Sequence, residues 1–258
     1  MENKQKTLFG HPYGLYVLFF TELWERFSYY GMRALLVLFL ISETTAENPG
    51  YGWSEVEALQ LYGWYTMLVY VAGIPGGILA DKVLGQKKTV MLGGFLLVLG
   101  HCILAIDNIN AFYAGLGFII LGVGGLKPNI STMVGGLYNK EDDRRDIGFK
   151  IFYMGINIGG FAAPIVCGWV GETYNWHYGF GLAGIFMLLG GLQFYYSQKI
   201  FGEIGLLDTN KNFNLKLVLV SYTKTLKAKR LKQEQDLPPI QTKHLEGQGL
   251  TLFLTNNS

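Results

Sequence analysis

Residues 13–41 read YGLYVLFFTELWERFSYYGMRALLVLFLI, an apolar stretch that is interrupted by charged side chains. A helix needs about 20 residues to cross a bilayer, so this stretch is long enough to span one. Its charged residues are Glu22, Glu25, Arg26 and Arg33. At about 100° per residue around the helix axis, Glu22, Arg26 and Arg33 lie within about 80° of one another, together with Tyr30. These residues form a polar stripe along one side of the helix, and Glu25 flanks it. A polar stripe must face protein or water rather than lipid, so the stretch predicts a helix inside a membrane bundle.

The composition of the whole chain supports the same interpretation. Half of the 258 residues are hydrophobic, 16% are charged and 35 are glycine. A soluble domain carries about 25% charged residues, which argues against a soluble protein. The net charge of +2 is too small to indicate the basic surface that a nucleic-acid-binding protein needs. The sequence shows no nucleophile–base pair, metal-ligand cluster or nucleotide-binding loop, so we expect no enzyme, no metal site and no cofactor.

Six apolar stretches are long enough to span a bilayer. They cover residues 13–41, 56–80, 88–106, 110–134, 148–171 and 178–197. A capping box of Ser54 and Glu57 precedes the second stretch, and a polar turn at 107–110 precedes the fourth. The sequence therefore predicts an all-α, polytopic membrane protein, with a six-helix transmembrane bundle in residues 1–197 and a polar, basic tail in residues 198–258.

Lysine and arginine are distributed unevenly between the connecting loops. The loops at 42–55, 107–109 and 172–177 contain none. The amino terminus, the two remaining loops and the tail carry most of the basic residues outside the spans. By the positive-inside rule, both termini are cytoplasmic. We therefore expect a multi-pass protein of the cell membrane.

Glycine pairs spaced four residues apart occur within two spans, at Gly73 with Gly77 and at Gly155 with Gly159. Small residues at this spacing let helices approach each other closely. We interpret both pairs as packing contacts within one bundle, with homodimerisation as the alternative.

One further cation, Lys127, lies within a span. A charge at mid-membrane costs about 2.5–3.5 kcal/mol on insertion scales, so unpaired charges are rare. In one interpretation, the two acids and two arginines of the first span neutralise each other and only fix helix packing, which leaves Lys127 unpaired. In the other, the cations attract a carboxylate in a hydrated site whose acids can take up protons. We favour the second interpretation.

Three motifs give the chain a resemblance to a known family. Residues 22–33 read ELWERFSYYGMR, which resembles the E-x-x-E-R-F-x-Y-Y-G signature of proton-dependent oligopeptide transporters. Residues 76–90, GGILADKVLGQKKTV, resemble the family pattern between helices two and three, and residues 149–161, FKIFYMGINIGGF, resemble the pattern opening helix five. The resemblance covers about residues 8–207. It implies the amino-terminal half of a major facilitator fold.

The resemblance also implies a role for each matching residue. The cluster that couples protons to transport is matched by Glu22, Glu25 and Arg26. The cations that hold the terminal carboxylate of a peptide are matched by Arg33 and Lys127. The positions that line the same cavity are Tyr30, Tyr70 and Asn157, with Tyr153 as a weaker candidate that can instead be a packed aromatic residue. The cytoplasmic loop that gates the inner side, or that only sets the topology, is matched by Asp81, Lys82, Gly85, Lys87 and Lys88.

The function implied is symport of short peptides, of two or three residues, with protons; a proton gradient then supplies the energy and no cofactor is needed. Family members have two six-helix halves, so we interpret the chain as truncated. Its partner is then the missing carboxyl-terminal half or, as the alternative, a second copy in a homodimer. We expect the tail, residues 198–258, to be disordered or the aberrant product of a frameshift or premature stop, with an authentic cytoplasmic extension as the alternative.

Two other functions stay open at this point. The first is a non-transporting membrane remnant, or a subunit that associates with full-length transporters. The second is a transporter of a related small solute.

Overall fold

The computed structural model describes residues 7–207. Six long helices make up most of this part of the chain. They are α1 (Tyr13–Ile41), α2 (Glu55–Leu79), α3 (Gln86–Leu104), α4 (Ile109–Gly136), α5 (Arg144–Thr173) and α6 (Trp176–Ser197). The remaining elements are an antiparallel hairpin of β1 (Thr7–Leu8) and β2 (His11–Pro12), a π-helical turn at Ala80–Leu84 and a 3-10 turn at Gln198–Phe201. The prediction of a mostly helical protein is confirmed.

Five of these helices are long and apolar enough to cross a membrane. They are α2 extended through Leu84, α3, α4, α5, and α6 extended through Phe201. α1 is as long as the others but carries its four charged residues near its middle, so composition alone does not mark it as a span. The predicted second span ends at residue 80, whereas helical structure continues through the π-helical turn.

Side-chain caps fix where three of the helices begin. The Ser54 hydroxyl accepts a hydrogen bond from the Glu57 backbone N–H, and the Glu57 carboxylate accepts one from the Ser54 N–H, which confirms the predicted capping box. The Asn108 side chain caps α4 in the predicted polar turn. The Asn175 side chain caps α6, so this helix begins at Trp176, two residues before the predicted start.

α1 lies at the centre of the described bundle. It packs against α5 and α6 on one side and contacts α2 and α4 on another. α3 packs between α4 and α6. Most α1 side chains are buried, whereas α2 leaves the larger part of its surface exposed. The part of the polar stripe from Glu22 to Arg26 is therefore enclosed by protein, as its charge requires.

Close helix packing depends on some of the glycines but not on all the predicted ones. A Cβ at Gly155 would lie 2.9 Å from the Phe19 carbonyl oxygen, and one at Gly159 would overlap the Leu23 carbonyl oxygen. These two contacts confirm that the pair joins α5 to α1. The prediction for Gly73 and Gly77 is wrong within residues 7–207, because a Cβ at either position would meet open space.

Gly76 makes the close contact of α2 instead. A Cβ there would overlap the carbonyl oxygen of Gly124 on α4. The four-residue spacing identified a helix surface with small residues, but it did not determine which face of α2 turns towards α4.

Ordered structure extends beyond the predicted end of the bundle at residue 197. Phe201 is buried, and the Lys87 backbone N–H donates a hydrogen bond to the Gly205 carbonyl oxygen at 3.0 Å. Gly202 and Gly205 have positive φ angles, 52° and 77°, which allow the chain to fold back onto the start of α3. The expectation of disorder is therefore wrong for residues 198–207. The rest of the predicted tail, residues 208–258, lies outside the described residues.

Candidate substrate and proton site

The first part of the candidate site is a buried group of charges on α1. Glu22, Glu25 and Arg26 are 2%, 0% and 2% exposed. Arg26 Nε lies 3.0 Å from Glu22 Oε1, one helical turn away, and it also forms an ion pair with Glu25 Oε2. A Cβ at Gly159 would lie 3.2 Å from Arg26 Cβ, so α5 covers the cluster closely. Two carboxylates therefore share one guanidinium, away from solvent.

Arg33 lies about two turns further along the same stripe and has different neighbours. Its guanidinium carbon lies 5.4, 5.8 and 5.0 Å from the ring centres of Tyr29, Tyr30 and Tyr62, respectively. It also donates a hydrogen bond to the Tyr62 hydroxyl. Arg33 is half-buried, and no carboxylate pairs with it within residues 7–207. Aromatic faces attract a cation without neutralising its charge, so Arg33 can still bind an anion.

Lys127 places a second such cation on α4. Its ammonium nitrogen lies 4.9 Å from the ring centre of Tyr70, whose side chain is 65% exposed. The side chain of Lys127 is half-buried, and it lies within electrostatic reach of Glu22 and Glu25. In the part of the chain that the structure describes, Lys127 makes no contact ion pair. The buried acids and this lysine therefore influence each other at a distance.

The predicted site residues on α5, Tyr153 and Asn157, do not lie against Arg33 or Lys127. Tyr153 is 56% exposed, and its ring contacts that of the adjacent Phe152 at 6.0 Å. Asn157 is exposed and makes no hydrogen bond to any described residue. A Cβ at Gly160 would lie 3.2 Å from the ring of Tyr30, so this part of α5 borders the stripe of α1. The structure brings both residues near the stripe without placing them against Arg33 or Lys127.

Two tyrosines of the site were not among the predicted residues. Tyr29 lies between the two arginines, because the guanidinium carbon of Arg26 is 5.5 Å from its ring centre and that of Arg33 is 5.4 Å away. Tyr62 bonds Arg33 from α2. A sequence signal existed for Tyr62, since it precedes Tyr70 by eight residues and therefore lies on the same face of α2.

The predicted loop residues divide into two groups. Lys87 is 7% exposed, and its ammonium group donates to the Gly202 carbonyl oxygen. Gly85 has a φ of 78° and is buried against residues 205–207, where a Cβ would lie 2.7 Å from the backbone nitrogen of Leu207. The exposed members are Asp81, Lys82 and Lys88. Two of the five residues therefore hold the chain segment that follows α6.

The loop between α4 and α5 holds the amino-terminal hairpin at the same end of the bundle. Arg144 pairs with both carboxylate oxygens of Asp142 and donates to the Gly10 carbonyl oxygen at 2.9 Å. These hydrogen bonds lower the pKa of Asp142 to about 2. His11 Nδ1 lies 2.9 Å from the Tyr138 hydroxyl, and burial raises the pKa of Tyr138 to about 12.

Comparison with known proteins finds transporters among the relatives of this chain. The POT family model matches residues 87–251. An uncharacterized transporter of Bacillus subtilis (strain 168) is 51% identical over 207 residues, which cover 80% of this chain and 41% of that protein. A di-/tripeptide transporter of Lactococcus lactis subsp. lactis (strain IL1403) is 46% identical over 229 residues, which cover 85% of this chain and 46% of that one.

Solved structures give the same result. A crystal structure of the peptide transporter POT in complex with sulfate matches with a TM-score of 0.77 and 45% identity, over 88% of this chain and 46% of that chain. A POT family transporter in complex with 5-aminolevulinic acid matches with a TM-score of 0.75 and 35% identity, over 91% of this chain and 50% of that chain. The chain therefore spans about half the length of the relatives it matches.

The match also extends beyond the end that the sequence motifs indicated. The family model continues to residue 251, so the prediction that the resemblance ends near residue 207 is wrong. The described helices and the transporter relatives together establish a membrane protein. Because the family model matches more than half of the chain, and the matched structures share its helical fold, this chain belongs to the POT family.

Proposed function

We propose that this chain is the amino-terminal half of a transporter that moves di- and tripeptides together with protons. The observation that carries the proposal is the pair of half-buried cations, Arg33 and Lys127, which have aromatic neighbours but no contact ion pair within residues 7–207. Peptide transporters among the relatives support the substrate class. The terminal carboxylate of a peptide supplies the anion that these cations lack.

The surrounding polar groups suit the rest of a short peptide. Tyr30 and Tyr70 lie against the two cations, and their hydroxyls can donate to or accept from a peptide backbone. Tyr153 and Asn157 are exposed on the neighbouring part of α5 and can reach a longer ligand. Because these contacts address backbone groups, they bind peptides without selecting one side chain.

Glu22, Glu25 and Arg26 are proposed to couple proton movement to peptide binding. Arg26 now compensates both carboxylates. A peptide carboxylate that attracts nearby cations weakens this compensation, which favours proton uptake by a glutamate. Coupling of this kind is reciprocal, so proton binding strengthens peptide binding by the same factor.

The proposed topology has six spans, with both termini on the cytoplasmic side of the cell membrane. α1 can be the sixth span because Glu22, Glu25 and Arg26 are buried and Arg33 lies among tyrosine rings rather than in lipid. This arrangement is the amino-terminal half of a major facilitator fold. The loop residues Asp81, Lys82, Gly85, Lys87 and Lys88 then lie at the cytoplasmic gate, and alternating access needs a second bundle opposite the site.

Uptake of a labelled dipeptide into proteoliposomes tests the proposal. The chain is reconstituted both alone and joined to the carboxyl-terminal half of its Lactococcus relative. We expect accumulation driven by a proton gradient only in the joined protein. In that protein, Glu22→Gln and Glu25→Gln should abolish accumulation while sparing peptide exchange, and Glu172→Gln, at the exposed end of α5, serves as the control. Normal accumulation in both site variants would remove the coupling assignment.

The same experiment separates the remaining candidates. Absence of any uptake by the joined protein would leave a non-transporting remnant or partner subunit. Uptake of 5-aminolevulinic acid without uptake of dipeptides would indicate a related small solute, a possibility raised by the solved relative that binds this compound. Uptake by the chain alone would favour a homodimer.

A further inference from the structure

An apolar groove runs along the outer surface of the bundle between α3 and α6. It encloses about 330 Å³ and opens towards the outside of the bundle. Its walls are formed by Met91, Phe95 and Val98 of α3 and by Leu188, Leu192 and Tyr195 of α6. Seven residues of helix correspond to about 10 Å, so the groove covers about a third of the hydrocarbon thickness of a bilayer.

Two glycines create the space in this groove. A Cβ at Gly191 would meet no atom within 4 Å, and one at Gly94 would touch only Met187 Cε at 3.5 Å. The floor includes Thr21, whose hydroxyl is occupied because it donates to the Val17 carbonyl oxygen at 2.8 Å. The groove is therefore apolar and open, and the hydroxyl proton of Thr21 at its floor is already donated within α1.

Two basic residues, Lys88 and Lys199, lie at the end of the groove where α3 begins and α6 ends. Lys88 precedes Met91 by three residues and Phe95 by seven, which places it on the face of α3 that lines the groove. Lys199 follows Tyr195 by four residues and continues the lining face of α6 through the 3-10 turn. Both lysines are exposed.

The described segments that flank this end of the groove, residues 81–88 and 198–207, contain four other charged groups. Lys87 lies beside Lys88 but donates to the Gly202 carbonyl oxygen. Asp81 and Glu203 are exposed acids, and Lys82 is a further exposed base. Among the described residues 81–88 and 198–207, lysines thus outnumber acids, while the residues that line the groove are uncharged. An apolar channel with a basic mouth matches one ligand chemistry, an anionic head group attached to a hydrocarbon chain.

We propose that this groove binds an anionic phospholipid, with one acyl chain between α3 and α6 and the phosphate held by Lys88 and Lys199. The walls of the groove lie on α3 and α6, which contribute none of the tyrosines and cations of the candidate peptide site, although its lining also includes Thr21 of α1 and Leu126 of α4. Lipid bound there links α3 to α6, and it lies next to the segment after α6, which Lys87 already ties to the start of α3. The proposal rests on membrane location and not on the transport function.

Thermal unfolding of the purified full chain in detergent tests this site. Phosphatidylglycerol and phosphatidylcholine with the same acyl chains are titrated separately. We expect phosphatidylglycerol to raise the unfolding temperature at lower concentration. One lysine near an anionic surface contributes roughly a fivefold change in affinity, so Lys88→Gln with Lys199→Gln should weaken the apparent affinity for phosphatidylglycerol about 30-fold. Lys150→Gln, at an exposed position on α5, should leave it unchanged.

A second pair of variants tests the groove itself. Gly191→Leu fills the space and should reduce binding of both lipids, whereas Gly117→Leu, at another helical glycine with open space around it, should not. Equal stabilisation by the two lipids, or full retention of the preference in the double lysine variant, would overturn the proposal. Stabilisation by glycerol phosphate alone would also overturn it, as would a lipid-independent dimer that is lost in Gly191→Leu.

Discussion

Arg26 and Arg33 lie on the same stripe of the same helix, but the structure gives them opposite surroundings. Arg26 is buried and is compensated by Glu22 and Glu25. Arg33 is half-buried and is surrounded by tyrosine rings, with no acid paired to it among the described residues. The comparison shows that the neighbouring side chains, most of them on α1 itself, and not the residue type, decide whether a membrane cation is structural or available to a ligand.

The largest expected effect comes from removing the compensated cation. Arg26→Met leaves two carboxylates buried without their partner, which costs about 3–5 kcal/mol in the free energy of unfolding. Arg33→Met removes the hydrogen bond to Tyr62 and the tyrosine-ring contacts but leaves no buried charge unpaired, so it should cost less, about 1–2 kcal/mol. Unfolding of both variants in detergent measures the difference. Equal loss of stability would break the distinction between the two arginines.

For ligand binding we expect the opposite of the order predicted for stability, so that the half-buried cations matter more than the buried Arg26. In a full-length protein that contains this half, Arg33→Ala and Lys127→Ala should each weaken dipeptide binding by about 10- to 100-fold, because a charged hydrogen bond contributes about 1.5–3 kcal/mol. Calorimetric titration measures the affinity, with Lys140→Ala in the exposed loop as the control. Unchanged affinity in both site variants would remove the carboxylate assignment.

The packing that encloses Arg26 provides the next test. Gly159→Ala places a methyl group against the Leu23 carbonyl oxygen and close to Arg26 Cβ, so overpacking should destabilise the protein by about 1–3 kcal/mol. Gly77→Ala, in open space on α2, should be neutral or stabilise by up to about 1 kcal/mol through helix propensity. A Gly159→Ala protein as stable as the Gly77→Ala protein would contradict the close α1–α5 contact.

A smaller effect is expected where Arg33 meets α2. Tyr62→Phe removes the hydroxyl that accepts a hydrogen bond from Arg33 but keeps the aromatic ring. The stability should fall by about 0.5–1.5 kcal/mol, the net contribution of one hydrogen bond. Tyr62→Leu, which also removes the ring, should lose more. If the two variants are equally stable, the ring does not hold the cation.

The smallest effect concerns an ion pair that is exposed rather than buried. The folded-state pKa of Asp142 is lowered from 3.8 to about 2 by its hydrogen bonds with Arg144. A lowered pKa stabilises the folded state above the unfolded value, and this contribution is lost as the pH falls from about 4 to about 2. The stability difference between the protein and its Asp142→Asn variant should therefore be small and should shrink over this range. A difference that stays constant with pH would contradict the assignment.

Sequence patterns were sufficient to predict the helices and one of the helix caps. Apolar length predicted the helices, and the local partners Ser54 with Glu57 predicted a helix start, because these signals act over a few residues. Glu22 and Arg26 form an ion pair that their spacing alone explains, since they lie one turn apart on one helix. The quoted motifs indicated the family that the comparisons then confirmed.

Contacts between helices were decided only by the tertiary structure. The periodicity of α2 gives the relative angles of Gly73, Gly76 and Gly77 but not which of them turns towards α4. The same limit applies to Tyr62, whose bond to Arg33 depends on how α1 and α2 are placed side by side. The order of residues 198–207 likewise depends on Lys87, more than 100 residues earlier in the chain. Helical spacing fixes the direction of a side chain around its own axis, whereas its partner depends on how whole helices pack.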